Sequence, residues 1–226
     1  HYSRADSHEE GLRYALAGAE DARAIFANRE AVELYGLAEK HLLVLGEAAR
    51  WQTAVDLRLG RADCLRFLGD FQTAVADLDQ ALALLAARHE YERLAQCHNL
   101  KAEILYRMAN YEGAKQLTAV VIDQGTGQIT TDELARAYLW QGMALASTQA
   151  YDQALTVFGR AEAICAQTGN DRRLARVLEG IAFVNYLQRN LETALDAMVR
   201  SVNLSKNYSI PANITSSLNN IALVQH

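Results

Sequence analysis

The sequence predicts an all-α fold, a solenoid of stacked helix pairs, on three observations. Four alanines stand 40 residues apart, Ala74, Ala114, Ala154 and Ala194, each closing the same phrase of a polar or small residue, a bulky residue, two more residues and alanine. Twelve residues upstream of each stands another small residue, Ala62, Ala102, Gly142 and Ala182, in a series that continues to Ala222. The 226 residues contain one proline. That suits long helices, because proline removes a backbone donor and collides with the preceding turn. A fixed period of this length marks a repeat array, in which one unit cannot bury its apolar face alone and neighbours must stack.

Each period divides into two helical stretches. The expected pairs lie near 8–46, 50–87, 91–124, 131–167 and 171–207, with a half repeat at 211–226. The first pair is divergent, with Ala19, Ala31, Tyr35 and Ala38 set 43 residues before the next unit. In the fourth pair, Leu134, Tyr138, Gly142 and Leu145 recur at spacings of three and four, one face of a helix. Ala154, Phe158, Ala161 and Ile164 do the same for its second helix. Thr148-Gln149-Ala150 is a short polar break between them. Thr131-Asp132-Glu133 supplies N-cap character and acids at the positive end of the first helix. Gly125-Thr126-Gly127 separates that helix from the previous pair.

The small residues fall midway along the first helix and one turn into the second, where they let two backbones approach. Phe71, Tyr111, Tyr151 and Leu191 are expected to plug the turns. Leu78, Phe158 and Met198 are expected to fill the gap to the next helix. The whole chain reads as one repeat domain. It begins at His1, and its period reaches Ala222 with no second helix after it, which predicts a piece of a longer array.

Half of the residues are hydrophobic and the net charge is −5. No block of Lys and Arg stands out, so no nucleic-acid surface is predicted. No apolar run approaches the roughly 20 residues of a membrane span, and no signal peptide is evident, so a cytoplasmic protein is predicted. Cys64, Cys97 and Cys165 are far apart and odd in number, and read as free thiols in a reducing compartment. There is no GxxxxGK[ST] loop, no GxGxxG after a strand and no HExxH. The six histidines do not pair at ligand spacing on a helix. Glu9 and Glu10 are adjacent and do not share a helical face. No enzyme activity, cofactor or metal is predicted.

The series Gly142, Tyr151, Ala154, Phe158 and Ala161 resembles the tetratricopeptide repeat, a helix-turn-helix unit of about 34 residues. The resemblance runs from about residue 8 to 226. The family's first-helix Trp and Leu positions read Arg58 and Arg61, His98 and Lys101, Tyr138 and Gln141 here. The helix-ending proline is missing, and the period is about six residues longer. His1-Tyr2 through Asn28-Arg29-Glu30-Ala31-Val32, and Ser217 through Leu223, look like the long-repeat arrays of large bacterial signalling proteins.

The resemblance implies a right-handed superhelix, and a scaffold or sensor segment of a bacterial regulatory protein that binds protein rather than performing chemistry. It also implies which first-helix residues line the inner groove. The early positions are charged, with Glu20, Asp63, Arg13, Arg23 and Arg66. The candidate partner-binding groove is Asn99, Glu103, Tyr106, Arg136, Leu139, Met143, Arg176, Glu179, Phe183 and Tyr186. Aromatic and arginine side chains dominate interface energies, and methionine adds an adaptable apolar surface. Arg136 and Arg176 match the geometry of a carboxylate. The expected occupant is a protein, a peptide or another domain of the parent protein. Two alternatives stand beside this: a receptor closing around a peptide or small-ligand effector, and a homodimer through the apolar stripe of Ile214, Leu218, Ile221 and Leu223.

Overall fold

A computed structural model of the chain describes residues 2–125 and 127–205. The half repeat expected at 211–226, with Ala222 and the stripe from Ile214 to Leu223, lies outside the described residues. Ten α-helices run in order among the described residues: α1 Tyr2–Ala24, α2 Asn28–Leu45, α3 Trp51–Leu68, α4 Phe71–Leu85, α5 Tyr91–Arg107, α6 Tyr111–Gln124, α7 Thr131–Ser147, α8 Tyr151–Thr168, α9 Asp171–Leu187 and α10 Leu191–Ser205. A 3-10 turn, Glu47–Arg50, precedes α3. Their contacts divide the chain into two compact units, residues 1–104 and residues 105–226. In the first, α1 packs on α2, α2 on α3 and α3 on α4; in the second, α6 packs on α7, α7 on α8, α8 on α9 and α9 on α10.

Ala62, Ala74, Ala102, Ala114, Ala154, Ala182 and Ala194 are all buried, at most 2% exposed. Phe71, Tyr111 and Tyr151 are half-buried at their turns, whereas Leu191 is exposed. The N-cap of α7 is Thr130 rather than Thr131, and its hydroxyl accepts from the Glu133 amide at 3.3 Å.

The turns inside the pairs share one construction. The chain leaves each first helix through a residue in the left-handed region: Phe26 (φ 61°), Gly69 (81°), Ala109 (60°), Gln149 (63°) and Arg189 (66°). The next amide then donates to a carbonyl five residues back. These bonds are Ala27 to Ala22 (2.9 Å), Asp70 to Leu65 (3.1 Å), Asn110 to Leu105 (2.8 Å), Ala150 to Leu145 (3.0 Å) and Asn190 to Asn185 (2.8 Å). This closure satisfies carbonyls that the helix end leaves open. The side chains of Asp70 and Asn110 then cap the second helix by accepting from the amides of Thr73 and Gly113. Only one of the five left-handed residues is glycine. A side chain there costs about 1 kcal/mol or more, partly offset by glycine's looser unfolded chain. Ala109→Gly and Gln149→Gly are therefore each expected to stabilise the protein by about 0.5 kcal/mol in denaturant titration.

A second ladder holds neighbouring pairs together. Tyr35 of α2 and Phe158 of α8 occupy the same place in their second helices and are fully buried. Each meets a glycine in the next first helix. A Cβ built on Gly60 falls 2.6 Å from Cζ of Tyr35, and one on Gly180 falls 2.5 Å from Cζ of Phe158. Phe158 also rests on its own pair's Gly142, where a Cβ stands 2.6 Å from its ring. At the same places elsewhere, Leu78 of α4 shares a core with Leu100 of α5. Thr118 of α6 is matched by position with Trp140 of α7. At Tyr35 and Phe158 a large ring goes with a glycine, whereas Leu78 and Leu100 are of equal size, so the division of volume differs from one interface to the next.

The positions where the sequence departs from the family pattern in α3 hold a buried ionic network. Arg58 is 3% exposed. It pairs with Glu47, donates to Gln80 at 2.9 Å and to the Ala54 carbonyl at 3.2 Å, and approaches Glu39 at 3.4 Å. Arg61 forks onto both oxygens of Asp77 at 2.7 and 2.6 Å and reaches Glu39 at 2.6 Å. Burial alone would raise the Glu39 pKa; the hydrogen bond and charge of Arg61, with the charge of Arg58, outweigh it and hold the carboxyl below its ordinary value.

Candidate partner-binding surface

The charges of α1, α3 and α5 within residues 1–104 answer one another. The Tyr35 hydroxyl donates to Glu20, and burial together with that bond holds its pKa well above the usual phenol value. Glu20 accepts from Arg23, which stands 3.8 Å from Asp63. Asp63 accepts from Arg66 at 3.2 Å, and Arg66 donates to Glu103 at 2.6 Å. Three first helices are thus tied by alternating charges, and these side chains serve cohesion of the unit.

The ten candidate groove residues divide between the units. Asn99 and Glu103 lie in residues 1–104, where both are buried in the interior rather than set on an open face. The other eight lie in residues 105–226. Leu139 is also interior, in the core of Ala135, Phe158 and Val177. Met143 is half-buried against that same core. Arg136 is half-buried, 3.8 Å from Glu133 on its own helix. Glu179 accepts from the Ser201 hydroxyl at 3.4 Å.

Three successive first helices meet at Trp140. The Tyr106 ring of α5 lies 5.4 Å from it, and the Arg176 guanidinium of α9 lies 5.0 Å from its ring. Both distances suit attractive aromatic and cation–π contact. Ser147 of α7 donates to the Tyr106 hydroxyl at 3.3 Å. Trp140 itself was not among the sequence candidates, though it stands in the 40-residue series of Gly60, Leu100 and Gly180. Its indole Nε1 is buried without a hydrogen-bond partner among the described residues.

Beyond this cluster, α9 presents Phe183 (44% exposed) and Tyr186 (37% exposed), with Leu187 beside them (39% exposed). Residues three apart share a helix face. The opposite face of α9 is spent on the core through Val177, Leu178, Ala182 and Val184. A surface that holds aromatic side chains in water next to an arginine–tryptophan contact can grip an apolar segment. Among the described residues no group of three or more His, Cys, Asp and Glu stands close enough to hold a metal ion, and no helix is long and apolar enough to cross a membrane. All three cysteines are buried free thiols; burial pushes the Cys64 pKa up to about 11, away from the reactive range.

No protein-family model and no curated protein matches the sequence. Solved structures do. A Rap protein complexed with competence and sporulation factor superposes with a TM-score of 0.79 at 16% identity, over 92% of this chain and 57% of that one. MamA from Desulfovibrio magneticus RS-1 gives 0.61 at 16% identity, over 88% of this chain and 97% of that one. A kinesin light chain protein of Podospora anserina with nearly identical TPR-like repeats gives 0.64 at 17% identity, over 88% and 97%. At such identities the likeness speaks for the fold. Helix pairs on a 40-residue period, closed by one repeated turn and sharing their architecture with these proteins, give the chain a tetratricopeptide-like helical repeat fold.

Proposed function

We propose that the chain is a non-catalytic protein-interaction module that takes a peptide or a segment of a partner protein on the first-helix face of residues 105–205. One observation carries this reading: Phe183 and Tyr186 remain exposed on a helix whose opposite face is fully committed to the core. Exposed aromatics beside an arginine are the side chains most enriched where partners bind. The solved complex of the similar Rap protein with competence and sporulation factor supports a bound partner on this fold. A place within a larger bacterial regulatory protein, as scaffold or sensor segment, is the setting that fits this role.

Panning a randomised peptide library on the 226-residue chain supplies ligands for the test. Calorimetry on the selected peptides is expected to show a loss of about tenfold or more in affinity for Phe183→Ala and for Tyr186→Ala, with unchanged melting temperatures. Affinity indifferent to both substitutions overturns the assignment.

A further inference from the structure

The turn between α1 and α2 differs from the other four in its left-handed residue. That place holds Gly69, Ala109, Gln149 or Arg189 elsewhere, and Phe26 here. A bulky side chain is the costly choice at positive φ. Burial does not compensate for it, because Phe26 is 71% exposed and its neighbour Ile25 is 75% exposed. Backbone strain of this kind clusters at ligand-binding sites. Phe26 and the exposed Leu68, at the C-terminal end of α3, flank a shallow cavity of about 720 Å³. The first turns of α2 complete its wall with Asn28, Arg29, Glu30 and Glu33.

Several acids of residues 1–104 are answered by a cation: Glu9 by Arg50, Asp56 by Arg93, Asp77 by Arg61 and Asp79 by Lys101. Glu30 and Glu33 are exposed and make no ion pair among the described residues. They stand three apart on one helix face, beside the cavity, with Arg29 as the single cation of the wall. Two apolar side chains, Phe26 and Leu68, beside a net acidic rim complement an apolar side chain flanked by cations.

We propose that this cavity docks a segment of a partner protein in which an aromatic or aliphatic side chain is flanked by Lys or Arg. The apolar side chain lies between Phe26 and Leu68, and the flanking cation meets Glu30 and Glu33. The site lies within residues 1–104 and stands independently of the surface assigned to residues 105–205.

The test is an NMR titration of the ¹⁵N-labelled 226-residue chain with end-blocked Lys-Trp-Lys and Glu-Trp-Glu tripeptides. Lys-Trp-Lys is expected to shift amides around 25–33 and 68, with an affinity about tenfold above that of Glu-Trp-Glu. Joint Glu30→Gln and Glu33→Gln substitution is expected to remove most of that preference. Phe26→Gly is expected to abolish the response while raising the melting temperature, since it relieves the left-handed strain and keeps the chain folded. An equal response to the two tripeptides, no shift at these residues, or an undiminished response in Phe26→Gly overturns the proposal. So does sedimentation showing a self-associated chain that Phe26→Gly converts to monomer, because the occupant is then a second copy.

Discussion

Phe158→Ala is expected to destabilise the protein by about 3–5 kcal/mol, read as a fall in the denaturant midpoint at constant slope. Phe158 is fully buried, and its ring is gripped between Gly142 of its own pair and Gly180 of the next. Truncation loses the transfer energy of the ring and leaves a hole that two helix backbones cannot close. Gly180→Ala attacks the same contact from the other side. Its new methyl group falls 2.5 Å from ring carbon Cζ, and overpacking of that kind costs about 1–3 kcal/mol. Because both changes act on one contact, they are not additive. Phe158→Leu combined with Gly180→Ala moves the interface toward the division of volume seen at Leu78 and Leu100. The pair is expected to be more stable than the sum of its single variants predicts, by about 1 kcal/mol.

Asp77→Leu is expected to cost about 3–5 kcal/mol, although it replaces a charge with an apolar side chain at a buried place. The Asp77 side chain is 4% exposed and holds the fork of Arg61, whose own side chain is 13% exposed. Without Asp77, that guanidinium keeps Glu39 but loses both oxygens that match its planar fork. Removing one member of a buried pair leaves the other desolvated and poorly compensated, and that residual charge dominates the loss. The double substitution Arg61→Leu with Asp77→Leu is expected to recover most of the stability, since an apolar pair of similar volume needs no desolvation. Thermal melts of the two single variants and the double variant check this directly.

These two expectations mark where the sequence could be read and where it could not. The alanine ladder is visible in the chain because a small residue at a close helix approach has few substitutes, and its members are buried. The turn ladder is nearly invisible. Its left-handed position is filled by Phe26, Gly69, Ala109, Gln149 and Arg189, and only the hydrogen bonds that follow reveal the common geometry. The seats of Tyr35 and Phe158 are hidden in the sequence for a related reason. Gly60 and Gly180 share a position with Leu100 and Trp140, so the period does not fix the residue type at that place.

Arg58 and Arg61 stood out as departures from the repeat pattern, but their partners come from the preceding and following helices. No spacing along α3 names Glu39 or Asp77. The candidate groove was read from positions counted along single helices. Such counting places Phe183 and Tyr186 on α9, yet it carries no knowledge of how deeply Asn99, Glu103 and Leu139 are covered by neighbours. Trp140 stands at a position of the period that reads as packing, and its contacts with Tyr106 and Arg176 exist only between helices.

The central claim is that residues 105–205 hold a partner on their first helices. Hydrogen exchange of the 226-residue chain, with and without a saturating library-selected peptide, tests it most directly. Added protection concentrated in α7 and α9, around Trp140, Phe183 and Tyr186, is the predicted result. Protection confined to α8 and α10, or no change anywhere in residues 105–205 while the peptide is bound, contradicts it.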